Sequence, residues 1–150
     1  KLENSVRECT TCCNLTEENP CDLCTAAKRN ISTIIVVERP QDVLAFERAG
    51  DYDGRYHVLH GTIAPLNGVG PDDLRIRQLL NRLNQEEITE VVIATNPTVE
   101  GDTTALYLGK LLSTLGLKVT RLAHGLSVGT EIEYANAVSL SRAYANRREL

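Results

Sequence analysis

The chain has 150 residues, 42% of them hydrophobic, and a formal net charge of -4 at pH 7, which fits one ordinary domain with a real core plus a small appendage. That acidic balance argues against a chain whose whole surface is a nucleic-acid footprint, because such binders carry a basic field that releases counterions from phosphate. No apolar run approaches the roughly 20 residues of a membrane-spanning helix and no signal peptide is visible, so a cytoplasmic protein without a membrane segment is expected. Methionine is absent even at position 1, and residues 1–8 read as the tail of an amphipathic segment, so the chain is expected to be a piece of a longer protein.

The first informative stretch is Cys9-Thr10-Thr11-Cys12, followed by Cys21-Asp22-Leu23-Cys24. Each C-x-x-C turns two thiolates of one knuckle toward the same point, and four thiolates complete the tetrahedron that Zn²⁺ accepts without geometric penalty. A pair of disulfides is the competing reading, but a cytosolic chain keeps its thiols reduced. The spacer supplies Asn14, Thr16, Asn19 and Pro20, turn formers suited to folding one knuckle onto the other. So small a module cannot build its own core, so the metal is expected to be structural. Cys13 is left over: it could compete with Cys12, but the shift in register would spoil the knuckle, so a free thiol is expected.

Thr33-Ile34-Ile35-Val36-Val37 is a strand pattern buried on both faces, and Glu38 follows it directly, ahead of Pro40. Taken alone, Glu38 is an acid favouring a helix N-terminus; taken with the turn described below, it stands at the end of its strand as Asn96 stands at the end of another. A helix is expected over 41–49, stopping at Gly50. Tyr56-His57-Val58-Leu59 is the next strand, and His57 and His60 near its end have no partner at ligand spacing, so both are read as structural or surface groups. The linker 61–71 holds Gly68-Val69-Gly70-Pro71, which lacks the third glycine of a dinucleotide loop. Asp72 and Asp73 lead into a helix whose stripe is Leu74, Ile76, Leu79, Leu80 and Leu83, with Arg75, Arg77 and Arg82 expected on a solvated face.

The apolar run Val91-Val92-Ile93-Ala94 ends at Thr95-Asn96-Pro97, after which a helix pattern begins near Glu100: strand, tight turn, helix. At the C-terminal end of a parallel strand such a turn faces the crevice of an open α/β sheet. Asn96, Thr98, Glu100 and Asp102 alternate through it. Two aspartates at positions 96 and 98 would mark a hard-cation site for Mg²⁺, which needs converging anionic oxygens; both positions are neutral. The helix is expected to bury Ala105, Leu108, Leu112 and Leu115 and to end at Gly116. Leu117-Lys118-Val119-Thr120-Arg121-Leu122 alternates as a sheet-edge strand, a glycine-bearing loop follows, and a last helix is expected over 134–148, closing with Arg142, Arg147 and Arg148. Strands alternating with helices predict a parallel sheet covered on both faces.

The four-cysteine knuckle, Val37-Glu38, the turn Ala94-Thr95-Asn96-Pro97-Thr98-Val99-Glu100-Gly101, the loop Ala123-His124-Gly125-Leu126-Ser127-Val128-Gly129 and the linker Gly68-Val69-Gly70-Pro71-Asp72-Asp73 together resemble the RecR family of bacterial recombination mediators. The resemblance implies an α/β Toprim-type parallel sheet with flanking helices, preceded by a small four-cysteine zinc finger. It divides the chain into a remnant of a preceding helical region (1–8), the zinc finger (9–30), the Toprim domain (31–128) and a C-terminal helical segment (129–150). Family members carry an N-terminal helix-hairpin-helix DNA-binding domain and form rings, so DNA binding is expected mainly outside this chain and a homo-oligomer in the full-length protein.

In catalytic Toprim proteins a glutamate follows the first strand and a D-x-D turn follows the third. Here Glu38 keeps the glutamate, whereas Asn96 and Thr98 match the aspartates, leaving a degenerate site of Glu38, Asn96, Thr98 and Glu100. A neutral amide or hydroxyl recovers only part of the stabilisation a carboxylate gives a divalent cation, so Mg²⁺ binding and catalysis are not expected. The resemblance implies a scaffold that joins RecO or RecF to load recombinase onto single-stranded DNA. Glu38, Glu100 and Asp102 are expected to keep the turn acidic, and an acidic surface meets a basic partner with favourable steering, so RecO is expected to dock near these residues. The competing reading is a Mg-dependent Toprim enzyme acting on phosphodiester bonds through Glu38, Glu100 and Asp102, with Tyr107 and Tyr134 left open as nucleophiles. A free-standing zinc-dependent DNA binder is the third, disfavoured by the acidic balance.

Overall fold

Four short strands build the sheet, and β-branched residues dominate the two central ones. In the computed structural model, which describes residues 5–150, the chain runs through β1 (Arg7–Glu8), β2 (Leu15–Thr16), the single turn α1 (Asp22–Thr25), β3 (Thr33–Val37), α2 (Pro40–Ala49), β4 (Arg55–Val58), α3 (Ile76–Gln85), β5 (Glu90–Ile93), α4 (Val99–Ser113), β6 (Lys118–Arg121) and α5 (Ala137–Ala145). Strands β3 to β6 form one parallel sheet in the order β4-β3-β5-β6, with Ile34 opposite Arg55 on one side and Val91 on the other. The order reverses between β3 and β5, so the crevice where an open α/β sheet accepts ligands lies between the C-terminal ends of those two strands. Strands β1 and β2 pair antiparallel as a separate ribbon.

Alternation along β3 assigns its side chains to two cores. Ile34 and Val36 join Val91, Ile93, Ile76, Leu79, Ala105, Leu108 and Leu112 on the face covered by α3 and α4. Ile35 and Val37 join Val43, Tyr56, Val58 and Ala94 on the face covered by α2. Because β3 is buried on both faces, it reads as a continuous apolar run, as the sequence pattern predicts. Helix α2 begins at Pro40, whose fixed φ suits a first helical position, and closes on Gly50 at φ 78°, a left-handed cap.

Several elements depart from the sequence reading. Arg7 and Glu8 are extended, not helical; residues 1–4 lie outside the described residues. The segment at Asp72 and Asp73 is a 3-10 turn (Pro71–Asp73), and α3 starts only at Ile76. The C-terminal helix is shorter than expected, Ala137–Ala145, preceded by a 3-10 turn over Ile132–Tyr134. Leu115 lies beyond the end of α4 and is 46% exposed.

Arg82 is the main reversal: it is 5% exposed, not part of a solvated face. Its Nη1 donates to the carbonyl of Tyr56 at 2.7 Å and its Nε to Glu86 at 3.0 Å, which satisfies a buried cation that would otherwise be costly. Beside it His57, fully buried, donates from Nε2 to the carbonyl of Arg75 at 2.8 Å, while Nδ1 accepts from Arg82 at 3.4 Å. Arg75 leaves its expected solvated face to grip Glu8 through Nε and Nη2 at 2.9 and 2.8 Å; Arg77 is exposed as expected. Burial, then the charges of Arg82 and His60, outweigh the carbonyl bond and hold the His57 ring down to about 3. A histidine whose folded pKa is depressed stays neutral while the unfolded chain takes up a proton, so stability falls as pH drops below about 6.5. The His57 ring resonances are therefore expected not to titrate by NMR between pH 8 and pH 5; a midpoint near the ordinary histidine value would contradict the buried neutral tautomer.

Candidate functional site

The sheet's C-terminal edge gathers the chemistry. Glu38 leaves β3 and Asn96 leaves β5 at the reversal of strand order, and the two side chains meet. Asn96 donates its backbone N–H to Glu38 Oε2 at 2.7 Å and its Nδ2 to Glu38 Oε1 at 3.0 Å, so both carboxylate oxygens accept from one residue and Glu38 is only 8% exposed. Thr98 is equally committed: its Oγ1 caps α4 by accepting from the Gly101 N–H at 3.0 Å, as N-cap threonines do. Buried Thr95 donates Oγ1 to the Gly101 carbonyl at 2.8 Å. Of the acids placed here by the sequence, Glu100 stands exposed on the first turn of α4, where a negative charge is favoured by the helix dipole.

Asp102 does not contribute free negative charge to this turn, contrary to the acidic surface expected of it. Its carboxylate accepts from Arg121 at 2.6 Å and Arg142 at 3.1 Å, and these partners, Arg121 first, lower its pKa. Arg142 also donates to His124 Nδ1 at 2.6 Å; burial, with the two arginines adding to it, lowers the His124 pKa. The grouping of Asp102, Arg121, His124 and Arg142 was not predicted as a site, because four residues spread over 102–142 meet only once β6 and α5 are folded. Tyr107 lies on α4 and Tyr134 in the 3-10 turn before α5; both are exposed.

Gly101 explains how the turn closes. A Cβ there would sit 2.0 Å from the Asn96 carbonyl oxygen and 3.1 Å from Glu38 Oε2, so only glycine lets α4 approach the clamp. The sequence signal was the Glu100-Gly101-Asp102 triplet at a helix start, a place where glycine has no propensity advantage.

The cysteines form the second constellation. The Sγ atoms of Cys9, Cys12, Cys21 and Cys24 all lie within 4.8 Å of one another, with Cys12 and Cys21 at 3.5 Å and Cys9 and Cys24 at 3.9 Å. Zinc–sulfur bonds of about 2.3 Å in a tetrahedron put the sulfurs about 3.8 Å apart, so the cage fits Zn²⁺. Backbone amides of Thr11 and Cys21 point at Cys9 Sγ, each at 3.4 Å, the bonding a thiolate needs. Cys13 stands outside the cage, buried, at φ 66°, and burial pushes its thiol up to about 11. The module is latched to the sheet: the Val58 N–H donates to the Cys12 carbonyl at 2.8 Å, His60 Nε2 to the Cys13 carbonyl at 2.5 Å, and Arg75 bridges to Glu8. His60 is thus a structural group, as His57 is.

Three family models match in series: the RecR four-cysteine zinc finger domain over residues 6–26, the Toprim domain over 32–123, and the RecR C-terminal region over 125–148. The recombination protein RecR of Chloroherpeton thalassium is 52% identical over 155 aligned positions, covering 99% of this chain and 76% of the relative. The chain belongs to the RecR family. The RecR proteins of Lactobacillus johnsonii, 50% identical over 100% of this chain and 76% of the relative, and of Anaeromyxobacter dehalogenans, 56% identical over 97% of this chain and 73% of the relative, are similarly related. Membership in the RecR family agrees with the parallel sheet and with the four-cysteine cage. Among the described residues no helix is long and apolar enough to cross a membrane.

Gly101→Ala is expected to cost at least about 2 kcal/mol of stability, because its methyl meets backbone rather than a movable side chain. Chemical denaturation checks it; a loss below about 0.5 kcal/mol would mean that α4 can move away from the clamp freely.

Proposed function

We propose that the chain belongs to a non-enzymatic recombination mediator in DNA repair, which works with RecO or RecF to load recombinase onto single-stranded DNA. The relatives' name, recombination protein RecR, supports the repair role. The non-enzymatic part rests on the clamp. Both oxygens of Glu38 accept hydrogen bonds from Asn96, and a Toprim cation would have to displace bonds from a residue that turns N–H donors, not acceptors, toward the carboxylate. The Thr98 hydroxyl is engaged in capping, and Asp102 is paired with two arginines, so of the carboxylates that would surround Mg²⁺ here only Glu100 stands without a partner among the described residues. Zinc, in this reading, holds the knuckle and takes no part in bond breaking.

Within that reading RecO docks on the turn that bears Glu38, Glu100 and Asp102, with unequal shares. Glu100 presents an exposed charge and steers a basic partner; Glu38 and Asp102 act by fixing the turn. The C-terminal segment supports homo-oligomer or ring assembly in the full-length protein: Val128, Ile132, Tyr134, Val138 and Tyr144, close together in the chain, are all exposed apolar side chains that an assembly would cover. DNA is contacted mainly through the helix-hairpin-helix domain that the family carries ahead of the zinc finger.

Glu100→Lys is expected to weaken RecO binding at least about tenfold, with an unchanged thermal midpoint, since a rim charge reversal acts on association rather than folding. Unchanged affinity would remove RecO from this turn. Calorimetric titration of Mg²⁺ into the zinc-loaded protein is expected to give no binding in the millimolar range. Binding that disappears in a folded Glu38→Ala variant would restore the Toprim-enzyme reading.

A further inference from the structure

The C-terminal edge of the sheet holds a second surface, of opposite sign to Glu100. A cleft of about 970 Å³ opens between α4, the end of β6 and α5, lined among others by Asp102, Arg121, His124, Arg142, Asn146 and Arg148. Three guanidinium groups share it with a single carboxylate, in a chain whose overall charge is -4. Asp102 holds one N–H each of Arg121 and Arg142, through their Nη2 atoms. Arg142 gives Nη1 to His124, whereas the remaining donors of Arg121, and all of those of Arg148, have no acceptor among the described residues. The side chains of Arg121 and Arg142 line the cleft and are about one third exposed, at 31% and 32%, so neither is sealed from an incoming anion.

We infer that this cleft binds a phosphate oxyanion. Guanidinium groups converging from different elements present N–H forks that match the paired oxygens of phosphate. Asp102 is the built-in acceptor that holds Arg121 and Arg142 in position before the anion arrives, and it is also the anion's electrostatic competitor. His124 supports the assignment: as the acceptor of an Arg142 N–H it is neutral, with Asp102, Arg121 and Arg142 as the charged groups facing it. With Nδ1 accepting, the ring proton is on Nε2, a neutral N–H donor that costs the site no extra charge. The same oxyanion chemistry is offered by the backbone of a nucleic acid and by a free phosphate. The inference does not rest on RecO docking: Asp102 belongs to both surfaces, but Arg121, Arg142 and Arg148, which would hold the anion, line the cleft and lie outside the turn proposed for RecO.

Arginine Nε–H signals followed by NMR test it, with sodium phosphate and a short oligothymidylate as separate probes against a chloride control of matched ionic strength. The signals of Arg121 and Arg142 are expected to shift saturably. Saturation by phosphate identifies a free-phosphate site; saturation by the oligothymidylate alone, weakening with salt, identifies a nucleic-acid backbone site. Arg148→Gln, which breaks no hydrogen bond to another described residue, is expected to weaken binding about fivefold. Asp102→Asn, which keeps a hydrogen-bond acceptor but removes the competing charge, is expected to tighten it by a similar factor. Shifts no larger than the chloride control for both probes would overturn the inference. So would affinities that neither substitution changes in variants whose thermal midpoints match the parent.

Discussion

Asn96 donates twice to Glu38, and those two bonds close the seam at the point where the strand order reverses. They join β3 to β5 beyond the last ladder bond of either strand. A buried carboxylate without donors would cost several kcal/mol; supplied with two, it becomes a fixed point. The first turn of α4 is built on that point. Gly101 approaches the Asn96 carbonyl, Thr95 bonds to the Gly101 carbonyl, and Thr98 caps the Gly101 amide. In a metal-dependent site, carboxylates crowd around a cation and repel one another without it. Neutral residues at positions 96 and 98 remove that repulsion from the turn, and their own polar groups bond within it instead.

The zinc module depends on the same end of the sheet. Residues 9–24 contribute few apolar side chains, and the buried residues of their own cluster are the four cysteines themselves. Leu23 is the apolar side chain that packs against both this cluster and the core under α2. The latch at Val58, His60 and Arg75 attaches the knuckle to the exit of β4. Arg75 takes part twice, its guanidinium gripping Glu8 and its carbonyl accepting from His57, so the knuckle and the buried polar network behind β4 share one residue.

Much of this was legible in the chain because it depends on local patterns. The two-face burial of β3 shows as five consecutive β-branched residues, the four-cysteine cage as paired C-x-x-C spacings, and the meeting of Glu38 with Asn96 as one polar residue at the end of each of two apolar strands. What was hidden is long-range. Arg82 sits where a helical wheel places it among polar neighbours, and only the Tyr56 carbonyl and His57, more than twenty residues earlier in the chain, turn that position into a buried one. Leu115 continues an apolar spacing past the end of its helix, where the spacing no longer maps onto one face. The start of α3 was misplaced because Pro71-Asp72-Asp73 carries helix-start chemistry that a 3-10 turn uses equally well.

Asp102 shows most clearly why charge in a sequence is not charge on a surface. Read along the chain, it extends an acidic run begun by Glu100. In space it faces β6 and α5, where Arg121 and Arg142 neutralise it. The boundary between the acidic and the basic surface therefore falls between two residues only two positions apart. A helix rotates by about 100° per residue, so such neighbours point to different sides. A basic protein meeting Glu100 and an anion entering the arginine cleft would approach from different directions, and the rigid first turn of α4 holds both surfaces in a fixed relation to the clamp.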